Sequence, residues 1–177
     1  MAERMGFELD VPVGGETDQR AQGCVWVASE SLHEKIYSRC KDQLPSSIDE
    51  QAVAGINRRF RIYKYNHGNV YRPHVDGAWP GSGVVDGEYQ YNMFGDRLSR
   101  LTFILYLNED FEGGATTFFS PSSEFGSLDT IGVRPRVGSV LCFPHGDTAG
   151  SLVHEGSATT NGTKYIIRTD VLYMSKK

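Results

Sequence analysis

In Arg59-Phe-Arg-Ile-Tyr-Lys-Tyr65 the side chains alternate. Phe60 and Ile62 share one face of an extended segment, and Arg61, Tyr63 and Tyr65 share the other. That period of two is the signature of a β-strand. Outward from it, strand-like runs recur at 70–75, 100–108, 115–119, 137–143, 151–155 and 164–174. Turn formers separate them: Asn66-His-Gly-Asn69, Glu112-Gly-Gly114, Pro135-Arg-Val-Gly138 and Asn161-Gly162. Upstream the period is helical. Ser31-Leu-His-Glu34 has capping-box spacing, and Leu32, Ile36 and Cys40 follow at every fourth position. The spacing predicts a helix over 31–44, stopped by Pro45, with 46–57 as a short connection. Many short strands after one early helix predict an antiparallel sandwich or barrel with the helix packed outside.

The 177 residues suffice for one domain, with 1–57 as a helical N-terminal support and 58–177 as the β core. A chain of this size buries roughly 70% of its unfolded surface, so it needs no disulfide staples. Eighteen basic residues against 22 acidic ones leave a net charge of -4. That balance disfavours a nucleic-acid binder, which needs a surplus of Lys and Arg to neutralise phosphates. The longest apolar runs, such as Leu101 to Leu107, are too short to span a bilayer. Met1-Ala-Glu-Arg-Met5 lacks the apolar block of a signal peptide. The expectation is a soluble protein, with the cytoplasm as candidate compartment. Cys24, Cys40 and Cys142 are odd in number and widely spaced, and are expected to be small buried residues rather than a disulfide or zinc framework.

Five histidines are present, and two stand in His-x-Asp pairs: His74-Val-Asp76 and His145-Gly-Asp147. One such pair is weak evidence. A facial triad of two histidines and one carboxylate needs a second His from a distant strand, and leaves three metal positions open. His74 and Asp76 have that partner in His154, 80 residues beyond His74 with strands between. His145 lies nine residues before His154 in a Gly- and Ala-containing stretch, which reads as a loop outside the metal site. Lys164 opens the last strand and, taken alone, reads as an exposed edge lysine. The segment 77–97 shows no regular pattern, yet carries Trp79, Tyr89, Tyr91 and Phe94. It reads as a long functional loop that begins at a candidate ligand and covers the site.

Taken together, Arg61-Ile-Tyr-Lys-Tyr65, His74-Val-Asp76, Leu101-Thr-Phe-Ile-Leu-Tyr-Leu-Asn108, Phe111-Glu-Gly-Gly114, His154-Glu-Gly156 and Lys164-Tyr-Ile-Ile-Arg-Thr-Asp170 resemble the prolyl 4-hydroxylase type of Fe(II)/2-oxoglutarate dioxygenase. The resemblance covers about 58–174. More faintly, Arg4-Met-Gly-Phe7 resembles the end of an early helix of that family, so the chain is expected to begin inside its native domain.

The resemblance implies a mainly β fold with flanking helices, a double-stranded β-helix or jelly roll. It implies Fe(II) held by His74, Asp76 and His154, and 2-oxoglutarate and O2 as cosubstrates, with ascorbate a candidate further cofactor. Lys164 and Tyr65 match the residues that meet the distal carboxylate of 2-oxoglutarate. Thr102 and Tyr106, on one strand face opposite Leu101, Phe103 and Leu105, are candidates for lining the cosubstrate pocket. Tyr71, Arg61 and Trp79 are candidates for the substrate side. The family reaction decarboxylates 2-oxoglutarate to succinate and CO2 and inserts oxygen into a substrate C–H bond. Related halogenases lack the carboxylate and place chloride there, so Asp76 favours hydroxylation. A peptidyl proline is the expected substrate. The alternatives are a free amino acid or other small molecule, or a catalytically silent binding module on the same scaffold.

Overall fold

The computed structural model describes residues 6–9 and 20–176. Strands β1 (Glu8–Leu9) and β2 (Gln22–Val27) precede helix α1 (Glu30–Cys40) and a 3-10 turn over Lys41–Gln43. Then come β3 (Ser47–Ile48), β4 (Gln51–Ile56), β5 (Arg59–Tyr65), β6 (Tyr71–His74), β7 (Gly83–Val85) and β8 (Glu88–Gln90). The C-terminal half holds β9 (Arg97–Tyr106), β10 (Glu112–Gly113), β11 (Thr116–Pro121), β12 (Leu128–Val133), β13 (Val140–Pro144), β14 (Val153–Gly156), β15 (Thr159–Asn161) and β16 (Lys164–Met174).

All strand pairs within the sheets are antiparallel. The large sheet runs β1-β2-β5-β16-β4-β3, with β9 on the other side of β16 and β13 beyond β9. The smaller sheet runs β12-β11-β14-β6. The expected alternation in β5 decides how these layers pack. Phe60 and Ile62 join Ile167 and Trp26 on the outer face, against Leu32 and Ile36 of α1. Tyr63 and Tyr65 point inward with Ile104, Tyr106 and Ile166, towards Tyr71 and Phe118 of the smaller sheet. Burying such aromatics contributes about 1.5–3 kcal/mol each relative to leaving them exposed, so a one-residue slip of β5 would exchange a packed face for a polar one. The interior between the sheets is where the candidate site lies.

Several sequence expectations are corrected. Helix α1 starts one residue early and is capped by Ser29, whose extended backbone lets its Oγ accept the Leu32 N–H at 3.3 Å. It ends at Cys40, where a 3-10 turn takes over. Residues 46–57 are not a connection: they form β3 and β4, and β4 pairs with β16. The N-terminal part is therefore only partly helical support, because β2 and β4 belong to the main sheet. Segment 77–97 is not irregular throughout. It contains the β7–β8 hairpin, turned at Asp86-Gly87 with φ of 52° and 85°, the conformation an Asp-Gly turn supplies. Arg4 and Met5, where a helix end was expected, lie outside the described residues, while Phe7 stacks near Tyr165 at 6.5 Å. Cys24, Cys40 and Cys142 are free and partly buried. Among the described residues no helix is long and apolar enough to cross a membrane.

Candidate active site

Strand pairing explains why residues 80 positions apart meet. β14 lies antiparallel to β6 with His154 directly opposite His74, and their rings are 4.4 Å apart. Asp76 follows β6 by two residues. His74 Nε2 lies 3.4 Å from Asp76 Oδ1, and His154 Nε2 lies 3.5 Å from Asp76 Oδ2. One ligand atom from each of the three lies within 4.8 Å of the others. Ligands about 2.0–2.2 Å from a common metal and at right angles would be about 3 Å apart, so the cluster fits a facial triad with little adjustment.

The ring orientations agree with that use. His74 donates Nδ1–H to the Arg72 carbonyl at 2.7 Å, and His154 donates Nδ1–H to the Leu152 carbonyl at 3.3 Å. Each bond leaves Nε2 unprotonated and aimed at the cluster. Burial alone would push the Asp76 carboxyl up. Arg168 first, and then the contacts with His154, His74 and the donating Thr102 hydroxyl, more than offset it and hold the group well below the usual carboxylate range. Asp76 is thus an anion whose oxygens already have outer partners: Arg168 Nη2 at 3.1 Å from Oδ1, and the Thr102 hydroxyl at 2.6 Å from Oδ2.

The triad lines a cleft that is partly open to solvent and walled by Arg61, Tyr63, Tyr65, Tyr71, Thr116 and Lys164 among others. Lys164, in the same lining, is 1% exposed. Its Nζ donates to the Gly114 carbonyl at 2.7 Å and lies 4.7 Å from the centre of the Tyr65 ring. Among the described residues no carboxylate pairs with it. Burial pushes its ammonium down to about 8. A buried ammonium paired with no carboxylate is costly, and an anionic ligand would relieve that cost. Gly114 makes the arrangement possible. Its φ is +64°, and a Cβ there would meet Lys164 Cδ at 3.1 Å.

Arg168 shares the inward face of β16 with Lys164, but it is already engaged. It contacts Asp76 and, at 3.4 Å, Asp170. Burial would lower its guanidinium, but Asp170 and Asp76 more than offset this and hold it above its ordinary value.

The other residues singled out from the sequence are distributed as follows. Tyr65 and Tyr71 line the cleft, with the Tyr71 ring 4.5 Å from His74, and Arg61 lines it opposite Arg168 in the β5–β16 register. Thr102 sits behind Asp76 rather than in the cleft wall. Tyr106 is buried, with its hydroxyl 2.8 Å from that of Thr116. Trp79 packs outside the cleft lining, under the Arg59 guanidinium at 4.3 Å and against Tyr91 at 5.0 Å. His145 lies, as expected, on a loop outside the His-Asp-His cluster, just after β13, but it is buried. It is 1% exposed, and both ring nitrogens are taken by hydroxyls, of Ser99 and Thr102, each at 2.9 Å.

Sequence reasoning missed Tyr63, Ile104, Thr116, Glu155, Gly156 and Ile166 as cleft residues. Alternation from Tyr65 could have found Tyr63.

Comparison with known proteins follows the same lines. No curated protein sequence matches the chain. A viral collagen prolyl hydroxylase from Paramecium Bursaria Chlorella virus-1 superposes with a TM-score of 0.54 at 19% identity, covering 89% of this chain and 82% of that one. A Pseudomonas putida prolyl-4-hydroxylase superposes with a TM-score of 0.55 at 18% identity, covering 99% of this chain and 80% of that one. At such identities the likeness shows the fold, the jelly roll expected from the sequence. The model of the 2OG-Fe(II) oxygenase superfamily matches residues 60–169, the stretch that contains the triad and Lys164. The chain belongs to that superfamily: it is a 2-oxoglutarate-dependent dioxygenase, with Fe(II) as cofactor and 2-oxoglutarate and O2 as cosubstrates.

Proposed function

We propose that the chain hydroxylates a C–H bond of a peptidyl proline, with Fe(II) held by His74, Asp76 and His154 and the distal carboxylate of 2-oxoglutarate held by Lys164 and Tyr65. The observation that carries the site assignment is the presence, in one cleft, of the His-Asp-His cluster and a buried lysine that no carboxylate among the described residues neutralises. Fe(II), when bound with 2-oxoglutarate and O2, supplies the oxidising power that turns C–H into C–OH while 2-oxoglutarate becomes succinate and CO2. The protein's part is positional. His74 and His154 present Nε2 because carbonyls hold their Nδ1–H groups. Arg168 and Thr102 hold the Asp76 carboxylate from outside. Lys164, bonded to the Gly114 carbonyl and paired with no carboxylate among the described residues, fixes the cosubstrate's far end. Ile104 and Ile166 give the cleft part of its apolar lining.

The peptidyl substrate is supported by the shared fold with two prolyl hydroxylases and by the open side of the cleft. Tyr71 beside His74, and Arg61 further along, offer the substrate an aromatic face and a cation. Trp79 contributes at one remove, by bracing the Arg59 guanidinium next to Arg61 on the same strand face.

The test is mass spectrometry after incubation with Fe(II), 2-oxoglutarate and O2, using proline-containing peptides and free amino acids in parallel. The expected result is a gain of one oxygen on proline in a peptide, matched by succinate. Oxygen gained only by free amino acids would replace this reading with the small-molecule one. No succinate in any arm would leave a silent binding module.

Lys164 also predicts a pH dependence. A carboxylate is bound by the ammonium, not the amine. With the group at about 8, the charged fraction falls about tenfold between pH 7 and pH 9. The KM for 2-oxoglutarate should therefore rise about tenfold over that interval, as read from initial succinate rates. A flat KM would show that a permanently charged group binds the cosubstrate instead.

A further inference from the structure

Behind Asp76, on the side away from the cleft, a line of hydrogen bonds crosses the interior. The Trp79 backbone N–H donates to Ser99 Oγ at 2.8 Å. Ser99 Oγ and His145 Nε2 are 2.9 Å apart, as are His145 Nδ1 and Thr102 Oγ1. The Thr102 hydroxyl donates to Asp76 Oδ2 at 2.6 Å. Ser99, Thr102 and His145 are each no more than 1% exposed, so water does not complete these bonds.

The direction of every proton in this line follows from its ends. The ionised Asp76 carboxylate only accepts, so Thr102 must give it the hydroxyl proton. That leaves Thr102 Oγ1 only lone pairs to offer His145, so Nδ1 must carry hydrogen. At the other end, Ser99 Oγ already accepts from Trp79. Its own proton must go to His145 Nε2, which is then the bare nitrogen. A neutral Nδ1–H imidazole satisfies all five groups at once. An imidazolium would put two donors on Ser99 Oγ and strand the serine proton in a dry interior. The reverse tautomer would strand the Thr102 contact as well. Burial also pushes the His145 imidazole below its ordinary value, against the pull of Asp170.

A backbone irregularity brings the partners together. Ser99 and Thr102 are three residues apart, and regular alternation would put them on opposite faces. The β9–β16 register shifts between Val171 and Leu172, whose partners are Leu101 and Ser99, so Arg100 is the extra residue. The bulge turns Ser99 to the same side as Thr102. Arg100 points out instead and pairs with Asp49. The His145 loop is fixed to the same ligand by its backbone, since the Gly146 N–H donates to the Asp76 carbonyl at 2.9 Å.

We propose that His145 is a positioning residue for the metal site: held as the neutral Nδ1–H tautomer between Ser99 and Thr102, it orders the threonine hydroxyl so that Asp76 presents its carboxylate in one orientation. The proposal rests on the reading of His74, Asp76 and His154 as metal ligands. The line also ties Asp76 to the backbone of Trp79, at the base of the segment that carries the β7–β8 hairpin.

The test has two parts. Nitrogen-15 NMR of the histidine-labelled, metal-free chain at neutral pH should show His145 protonated at Nδ1 and a bare, hydrogen-bond-accepting Nε2. Mn(II) titration and the visible spectrum of the Co(II)-loaded chain should then separate orientation from bulk packing. Thr102→Val and His145→Leu should weaken Mn(II) about 10–100-fold and alter the Co(II) spectrum. Thr102→Ser, which keeps the hydroxyl, and His145→Asn, which keeps a donor near Nδ1, should stay within about threefold of the unaltered chain. An Nε2–H tautomer or an imidazolium overturns the proposal, even if the apolar variants fail to fold. So does Mn(II) affinity unchanged in Thr102→Val and His145→Leu. If the unaltered chain itself binds no Mn(II), the metal reading falls and the proposal with it, a result distinguishable from selective failure of the line.

Discussion

Asp76→Ala should lower 2-oxoglutarate turnover roughly a thousandfold or more, about 4 kcal/mol of transition-state stabilisation, while the fold survives. Three losses coincide in this one change. The metal cluster loses its single anion, the donor that offsets the cation's charge in a site walled by Arg61, Lys164 and Arg168. His74 and His154 lose the third ligand atom of the cluster and, with it, the oxygens at 3.4 and 3.5 Å that would share a metal with their Nε2 atoms. Thr102 loses its acceptor. The fold should nevertheless persist, because Arg168 keeps Asp170 at 3.4 Å and is not left as an unpaired buried charge. Stability should fall by about 1–3 kcal/mol, the cost of the unsatisfied hydroxyl and the lost contacts. Circular dichroism and thermal melting check the fold, and succinate release checks turnover. Turnover within tenfold of the unaltered enzyme would remove Asp76 from the metal site.

The second large effect is on cosubstrate binding. Lys164→Ala should raise the KM for 2-oxoglutarate by roughly 100-fold or more, because removing one partner of a buried charge pair costs about 3–5 kcal/mol. The complementary variant is Arg168→Ala. Arg168 is occupied by Asp76 and Asp170, so its loss should fall on kcat and metal affinity rather than on this KM. A large KM rise for Arg168→Ala with little change for Lys164→Ala would reverse the assignment. The lysine also carries a stability signature. Holding an ammonium at 1% exposure without a counter-charge disfavours the folded state, by about 3 kcal/mol on the scale of its displacement to about 8. Lys164→Met should therefore leave the ligand-free protein as stable or more so, while abolishing cosubstrate binding. A function-bearing residue that destabilises its own fold is the expected trade-off.

How much of this was legible in the sequence depended on whether local pattern or long-range pairing decided each feature. The two faces of β5 were legible because Phe60/Ile62 and Tyr63/Tyr65 differ in chemistry as well as position. The triad was legible because His74 and Asp76 stand in one short motif and His154 in another, and the β6–β14 register then had only to place them opposite each other. β4 was not legible. Gln51–Ile56 is rich in small residues, includes Gly55 at a φ of 118°, and becomes a strand only because β16 offers it an edge. β12 was missed for a related reason. Its large side chains, Leu128 and Ile131, are 63% and 65% exposed, so no buried stripe marks it. The β7–β8 hairpin had a signal in Asp86-Gly87 that the surrounding aromatics obscured. The buried partners of His145 were not legible, because a bulge at Arg100, invisible to any periodic reading, turns Ser99 towards it.

The most direct test of the account is an anaerobic titration of the metal-free chain with Fe(II) and 2-oxoglutarate, followed by visible absorption. A 2-oxo acid chelating Fe(II) gives a charge-transfer band that neither component gives alone. The account predicts the band at one Fe(II) and one 2-oxoglutarate per chain, its loss in His154→Ala, and a shift of its 2-oxoglutarate midpoint to much higher concentration in Lys164→Ala. A band that survives His154→Ala unchanged but disappears in His145→Ala would contradict the assignment of the metal site at its root.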